Sequence, residues 1–264
     1  MSFAKFLGGL FVIAYSLGTA NAEVVEKVKA TAEDAKKFEP VPQVVELKNG
    51  DKVMATDSKT VWQTFALRNK VEVSPDKIYK VTAKVKLKDK EDVYVWLGFI
   101  PYSKDGKAIR TEHGNRNIKE SFTALAEDAK KGAKTIVVKD ASQWKKGKYY
   151  FVAFDASEDM SDIPNFNISP MIEKIEQTGD KYTITLTAPL EKNYAAGTNI
   201  RQHRGGATYV YRKSGRAPKD WMTWKGTPAT SKDFRKAKYI RPMIMFRSTN
   251  GSTAAFKDFV FEIE

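Results

Sequence analysis

The sequence predicts an all-β fold, a β-sandwich interrupted by a smaller inserted β-module. Three observations carry that expectation. First, over residues 78–87 the apolar side chains Tyr79, Val81, Ala83, Val85 and Leu87 alternate with Lys80, Thr82, Lys84 and Lys86. A period of two with one wet face is the pattern of a half-buried antiparallel strand. Second, this strand pattern lapses over 111–118, resumes with different punctuation from Lys134, and closes with a strand over 259–263. Third, the apolar runs are short and bounded by turn signals such as Asn49-Gly50, Lys104-Asp105-Gly106 and Asn250-Gly251.

Residues 1–22 read as a signal peptide. Lys5 supplies a positive charge, residues 6–17 are an apolar run, and Ala20-Asn21-Ala22 fits a small-x-small cleavage site. The run is shorter than the ~20 apolar residues that span a bilayer. An N-terminal membrane anchor is the alternative. Cleavage near Ala22 implies a secreted, periplasmic or cell-surface protein with no transmembrane segment in the mature chain. The chain has no cysteine, which excludes disulfides and a lipid-modified cysteine anchor, so stability rests on the core. Residues 23–42 have helical composition and mixed charge and end at Pro40 and Pro42, which predicts a leader segment, either a short helix or a mobile one.

Residues 43–112 hold the first half of the sandwich. Strands are expected over 44–47 and 52–55, over 60–67 with Trp62 and Phe65, over 78–87 and over 93–100. The insert is placed at 113–218, with strands over 135–138, 148–154, 172–175 and 182–186. Such spacing predicts a small barrel-like module. The run 208–211 is either its last strand or the return to the sandwich. Residues 219–264 complete the sandwich, with a strand over 239–246 that Pro242 marks as an edge or a bulge.

The formal net charge is +13, and it is unevenly spread. Between Arg201 and Arg247 thirteen Lys and Arg face only Asp220 and Asp233. A concentrated basic stretch argues for an anionic partner.

The phrase Val73-Ser-Pro-Asp-Lys-Ile-Tyr79, the strands as far as Ile100, Tyr102-Ser-Lys-Asp-Gly106 and the closing Phe256-Lys-Asp-Phe-Val-Phe-Glu-Ile263 resemble carbohydrate-binding modules of the jelly-roll, galactose-binding-like group. The resemblance spans roughly half the chain, 43–112 and 219–264. It implies a jelly-roll β-sandwich, glycan binding, and a structural calcium near the last strand with Asp258 as its candidate ligand. The insert, around Thr135–Gly147 and Tyr182–Leu190, looks like small β-modules of secreted polysaccharide-associated proteins.

Within the basic stretch, Arg201, His203, Arg204, Tyr209, Tyr211, Arg212, Trp221 and Trp224 combine guanidinium forks with aromatic rings. The forks match sulfate, carboxylate or phosphate, and the rings can stack on sugars. Single-stranded nucleic acid would ask for the same types. Export makes a polysaccharide the expected partner and nucleic acid an unexpected one. A solvated basic face with the aromatics in the core is the plainer alternative. Tyr94 and Trp96 share one face of their strand, as a binding sheet or as a second packed layer. The acidic loop Asp155, Glu158, Asp159, Asp162 could hold calcium but lacks EF-hand spacing. No dinucleotide, P-loop or nucleophile-elbow motif occurs.

The leading expectation is therefore a secreted, non-catalytic binder of an anionic polysaccharide. The alternatives are a structural surface, matrix or filament subunit assembling through 23–42, and a polysaccharide lyase using His203 or a nearby tyrosine.

Overall fold

Alternation of apolar and polar residues builds three six-stranded antiparallel sheets. The computed structural model describes residues 23–89, 93–114, 116–249 and 251–264. The segment 1–22, expected to be a signal peptide, and the turn residue Asn250 lie outside the described residues. Among those described, no helix is long and apolar enough to cross a membrane.

The strands in chain order are β1 (Glu23–Val28), β2 (Phe38–Glu39), β3 (Gln43–Glu46), β4 (Lys52–Ala55), β5 (Trp62–Leu67), β6 (Val71–Glu72), β7 (Tyr79–Leu87) and β8 (Val93–Tyr102). Then come β9 (Thr123–Ala124), β10 (Thr135–Val138), β11 (Tyr150–Phe154), β12 (Ile168–Thr178), β13 (Lys181–Leu186) and β14 (Asn199–Arg204). The chain ends with β15 (Val210–Arg216), β16 (Met222–Lys225), β17 (Tyr239–Ser248) and β18 (Ala254–Ile263). One short helix, α1 (Ala32–Ala35), is capped by the Thr31 side chain.

The sandwich packs one sheet, β16-β7-β18-β4-β3 with β1 on β18, against a second, β15-β8-β17-β5-β2 with β6 on β17. The shared core holds Tyr79, Val81, Ala83 and Val85 of β7 and Val93, Val95, Leu97 and Phe99 of β8, all 0–1% exposed. Phe38, Phe256 and Phe259 meet edge to face, with centroids 5.2–5.7 Å apart. Phe256 and Phe259 reach the same core although three residues apart. A bulge between Lys257 and Val260, with Asp258 at φ 51°, adds the residue that restores the phase. The architecture is compatible with a jelly roll.

Residues 23–42 are not a free leader. β1 pairs with β18 and β2 with β5, and Val28, Ala30, Ala35 and Phe38 enter the core. The mixed charge that reads as helix is the alternation of an edge strand. Pro242 also sits elsewhere than expected. β17 is central, flanked on one side by β8. On the other side it pairs with β6 at 239–240 and with β5 at 243–247. Pro242 falls between those two pairings, where a missing N–H costs no ladder bond.

The third sheet, β10-β13-β12-β11-β14-β9, is the insert. It is not a closed barrel; its edges meet at a single bridge, Leu125↔Val138. Leu125, Val138, Trp144, Phe154, Ile184 and Leu186 form a core of their own. The return to the sandwich comes earlier than 218, because β15 pairs with β8 over 210–216 and Val210 and Ala217 join the sandwich core. The polar look of Arg212-Lys213-Ser214-Gly215-Arg216 reflects an outer strand and hides its membership of the sandwich.

Arg235 fastens the neck between the two parts. At φ 57° it closes a short 3₁₀ turn, and its guanidinium donates to the carbonyls of Ile109, Ala207, Thr208 and Tyr209. These carbonyls belong to the segments entering and leaving the insert. Burial lowers the Arg235 pKa to about 10.

A close approach fixes β15. A Cβ on Gly98 of β8 would overlap the Val210 carbonyl oxygen and come within 3.0 Å of the Tyr211 Cα, both backbone. Gly98→Ala is therefore expected to displace β15, at ~1–3 kcal/mol or more, seen as a lower urea midpoint. An unchanged midpoint would show that β15 yields without cost.

Candidate functional site

β8, β17 and β5 turn one set of side chains to the core and the other outward. On β8 the odd positions 93–99 are buried, so Tyr94 and Trp96 point out. On β17 Ile244 and Phe246 are buried in the core, so Arg241, Met243, Met245 and Arg247 share the outer side. On β5 Phe65 and Leu67 go in and Trp62, Thr64 and Ala66 go out. Register aligns these sets into rows. Arg216, Tyr94, Arg247 and Trp62 lie side by side across four strands. The next row is Ser214, Trp96, Met245 and Thr64.

The outer face thus carries a cluster of aromatic rings. Trp62 and Trp96 are stacked at 5.5 Å, Tyr94 lies 4.5 Å from Trp96, and Tyr211 lies 5.9 Å from Trp96 on the other side. Trp62 is 53% exposed and Tyr94 36%. Below them Ala66, Ile100, Met243 and Met245 form a small apolar layer. Trp96, Tyr102, Tyr209 and Tyr211 pack on that layer, so the rings are seated in place. The Arg247 guanidinium stands 5.5 Å from the Trp62 ring, a cation–π arrangement. Burial raises the Tyr209 and Tyr211 pKa values, so both stay neutral at ordinary pH.

The structure brings Tyr94, Trp96, Tyr209 and Tyr211 to one face, and it separates the other candidates from them. Arg201, His203 and Trp224 are interior residues, 0%, 0% and 4% exposed. None of them lies on a surface that a polymer can reach. Arg201 donates to Asp162 at 2.8 Å, to the Ser157 carbonyl and to His203 Nε2. His203 Nδ1 faces the Glu112 carbonyl at 2.8 Å. Accepting at Nε2 makes His203 the neutral Nδ1–H tautomer, with both nitrogens occupied. That arrangement gives it no part as a base acting on a polymer. Arg212 is held by Asp233 and by the Thr227 and Pro228 carbonyls. Arg204 is exposed on the insert, 5.9 Å from the Tyr150 ring. Trp221 lies against the other sheet, beneath Lys257 at 4.6 Å. The basic stretch is therefore no single patch; folding distributes it over three sheets and spends several guanidinium groups on carbonyl oxygens.

Asp258 faces Lys84 at 3.0 Å, an ammonium where a calcium ligand set would need further oxygens. In the acidic loop, Asp155 accepts from Asn167, Asp159 from the Ser161 amide and Asp162 from Asn165 and Arg201. Among the described residues no group of three metal-ligating side chains converges.

Trp62, Arg216 and Arg247 were missed by the sequence reading. Parity could have found them, since Phe65 and Leu67 in the core leave Trp62 on the opposite side of β5.

Burial lowers the His203 pKa from 6.5 to about 4. The unfolded chain then binds a proton that the folded one refuses. Stability is complete above pH ~6.5 and is lost as pH falls towards ~4, by on the order of 3 kcal/mol. His113 shifts in the same direction. The melting temperature is expected to drop between pH 7 and pH 5, less so in His203→Asn. Identical pH profiles would remove His203 as the cause.

Comparison with protein-family models, curated proteins and solved structures returned no match.

Proposed function

We propose that the outer face of the β15-β8-β17-β5 sheet binds a polysaccharide, as jelly-roll carbohydrate-binding modules do, and that the polymer is anionic. One observation carries the reading: exposed aromatic rings and arginines alternate in one row, Arg216, Tyr94, Arg247, Trp62. A ring offers an apolar face to the C–H side of a sugar, and an arginine fork takes a carboxylate or sulfate. The apolar layer below holds the rings in place, so little conformational entropy is lost when the polymer docks. The reading places the protein outside the cytoplasm, in line with the signal-peptide expectation for 1–22, and gives it no catalytic role.

Residues 23–264 applied to immobilised acidic and neutral polysaccharides test it. Retention on acidic polymers that weakens with salt is expected, because exposed charges are screened over ~8–10 Å at physiological ionic strength. Retention on none of them would overturn the reading.

A further inference from the structure

A second feature lies on the opposite sheet, away from the aromatic row. A groove of about 520 Å³ runs between the β3–β4 turn and the end of β7. Lys48, Lys86 and Lys88 line it together with Leu47, Leu87 and Trp221, and Glu46 is the one acid among the lining residues. The turn is tight, with the Leu47 amide donating to Asp51 and the Gly50 amide to Leu47. It therefore holds Lys48 at the groove edge. Two acids near the groove are already engaged. Asp51 pairs with Lys257 at 2.9 Å, and Asp89 accepts from the Thr253 amide and hydroxyl. Among the described residues none of the three lysines forms an ion pair. Lys257, paired with Asp51, stands 4.6 Å from the Trp221 ring.

We propose that this groove is a second saccharide site, taking a sulfate group on its lysines while the sugar ring lies on Trp221. In ligand class this rests on the reading above; in location it is independent of it. Like charges gathered in a cleft focus a positive potential and favour an anion. The apolar contribution of Leu47, Leu87 and Trp221 asks for a ligand with an apolar face beside its charge. Single-stranded nucleic acid stacks successive bases on several rings, and this groove offers one. Two sites on opposite sheets would let one chain of this protein bridge two polymer strands.

The test is calorimetric titration of residues 23–264 with a heparin-derived hexasaccharide and with its fully desulfated counterpart. The sulfated probe is expected to bind at two sites, and the doubly substituted Lys86→Ala, Lys88→Ala protein at one. Trp221→Ala is expected to weaken the groove site ~10-fold and leave the other unchanged. Trp62→Ala should do the reverse, so failure of the groove and failure of the aromatic face are read separately. The groove proposal falls if the lysine variant keeps both sites, if the desulfated probe fills the groove equally well, or if an oligothymidylate displaces the sulfated probe from it.

Discussion

Asp162→Ala is expected to destabilise the protein by ~3–5 kcal/mol, the cost of leaving a buried charge without its counter-ion. Arg201 is 0% exposed and its side chain ends on Asp162, 9% exposed, at 2.8 Å. The remaining donors reach only a carbonyl oxygen and the neutral His203 ring. Removing the carboxylate leaves a guanidinium inside the insert with no negative group, and water has little access to replace it. The same carboxylate also accepts from Asn165, whose amide holds the Phe154 carbonyl, so the loop over β11 loosens with it. Urea denaturation of the wild type, Asp162→Ala and Asp162→Asn measures the effect. The asparagine keeps an acceptor for Arg201 and is expected to lose less than the alanine. Equal midpoints for all three would mean that the pair is held by its surroundings and contributes nothing of its own.

Trp62→Ala is expected to weaken binding of an acidic polysaccharide ~30-fold, about 2 kcal/mol, while changing the stability little. Trp62 lies at the rim of the aromatic cluster, half exposed, and its only ring neighbour among the described residues is Trp96. Trp96→Ala should abolish binding at this face but also lower stability, because Trp96 covers the layer that contains Met245. Arg247→Ala isolates the charged part of the site. A loss of ~3–10-fold that shrinks at high salt is expected, since a screened ion contributes less there. Depletion assays on one polymer at two salt concentrations separate the effects. If Trp62→Ala binds as the wild type does, the aromatic row is a packing feature and the polysaccharide reading loses its support.

Much of the sandwich was legible because it obeys a period of two. Tyr79 to Leu87 and Val93 to Phe99 sort their side chains onto two faces by parity, and only the packing of the sheets decided that the Tyr94 and Trp96 face is the outer one. Asn49-Gly50 and Asp105-Gly106 close hairpin turns where Gly50 and Gly106 take the positive φ that glycine tolerates. The leader was misread because β1 has exposed Val24 and Val25 on an edge, a pattern that helical spacing can imitate over six residues. The site was half legible. Tyr94 and Trp96 were in view, but their partners come from β5, β15 and β17, and only the register across strands brings Trp62, Arg216 and Arg247 beside them.

The basic stretch shows where sequence distance misleads. Arg201, Arg212, Arg235 and Arg247 lie within one run of the chain, yet they end in the insert, on β15, at the neck and on the aromatic face. A guanidinium has five donors, so it can be a ligand for a polymer or a clamp for backbone carbonyls, and composition does not distinguish the two. The sequence alone determined the all-β class, the interruption of the sandwich, the absence of disulfides and the buried face of the strand over 78–87, because these depend on local alternation and on residue type. Only the tertiary structure decided which cations are buried and which aromatic rings stand together in the open, because both depend on strand register, and register is set by pairings between residues far apart in the chain.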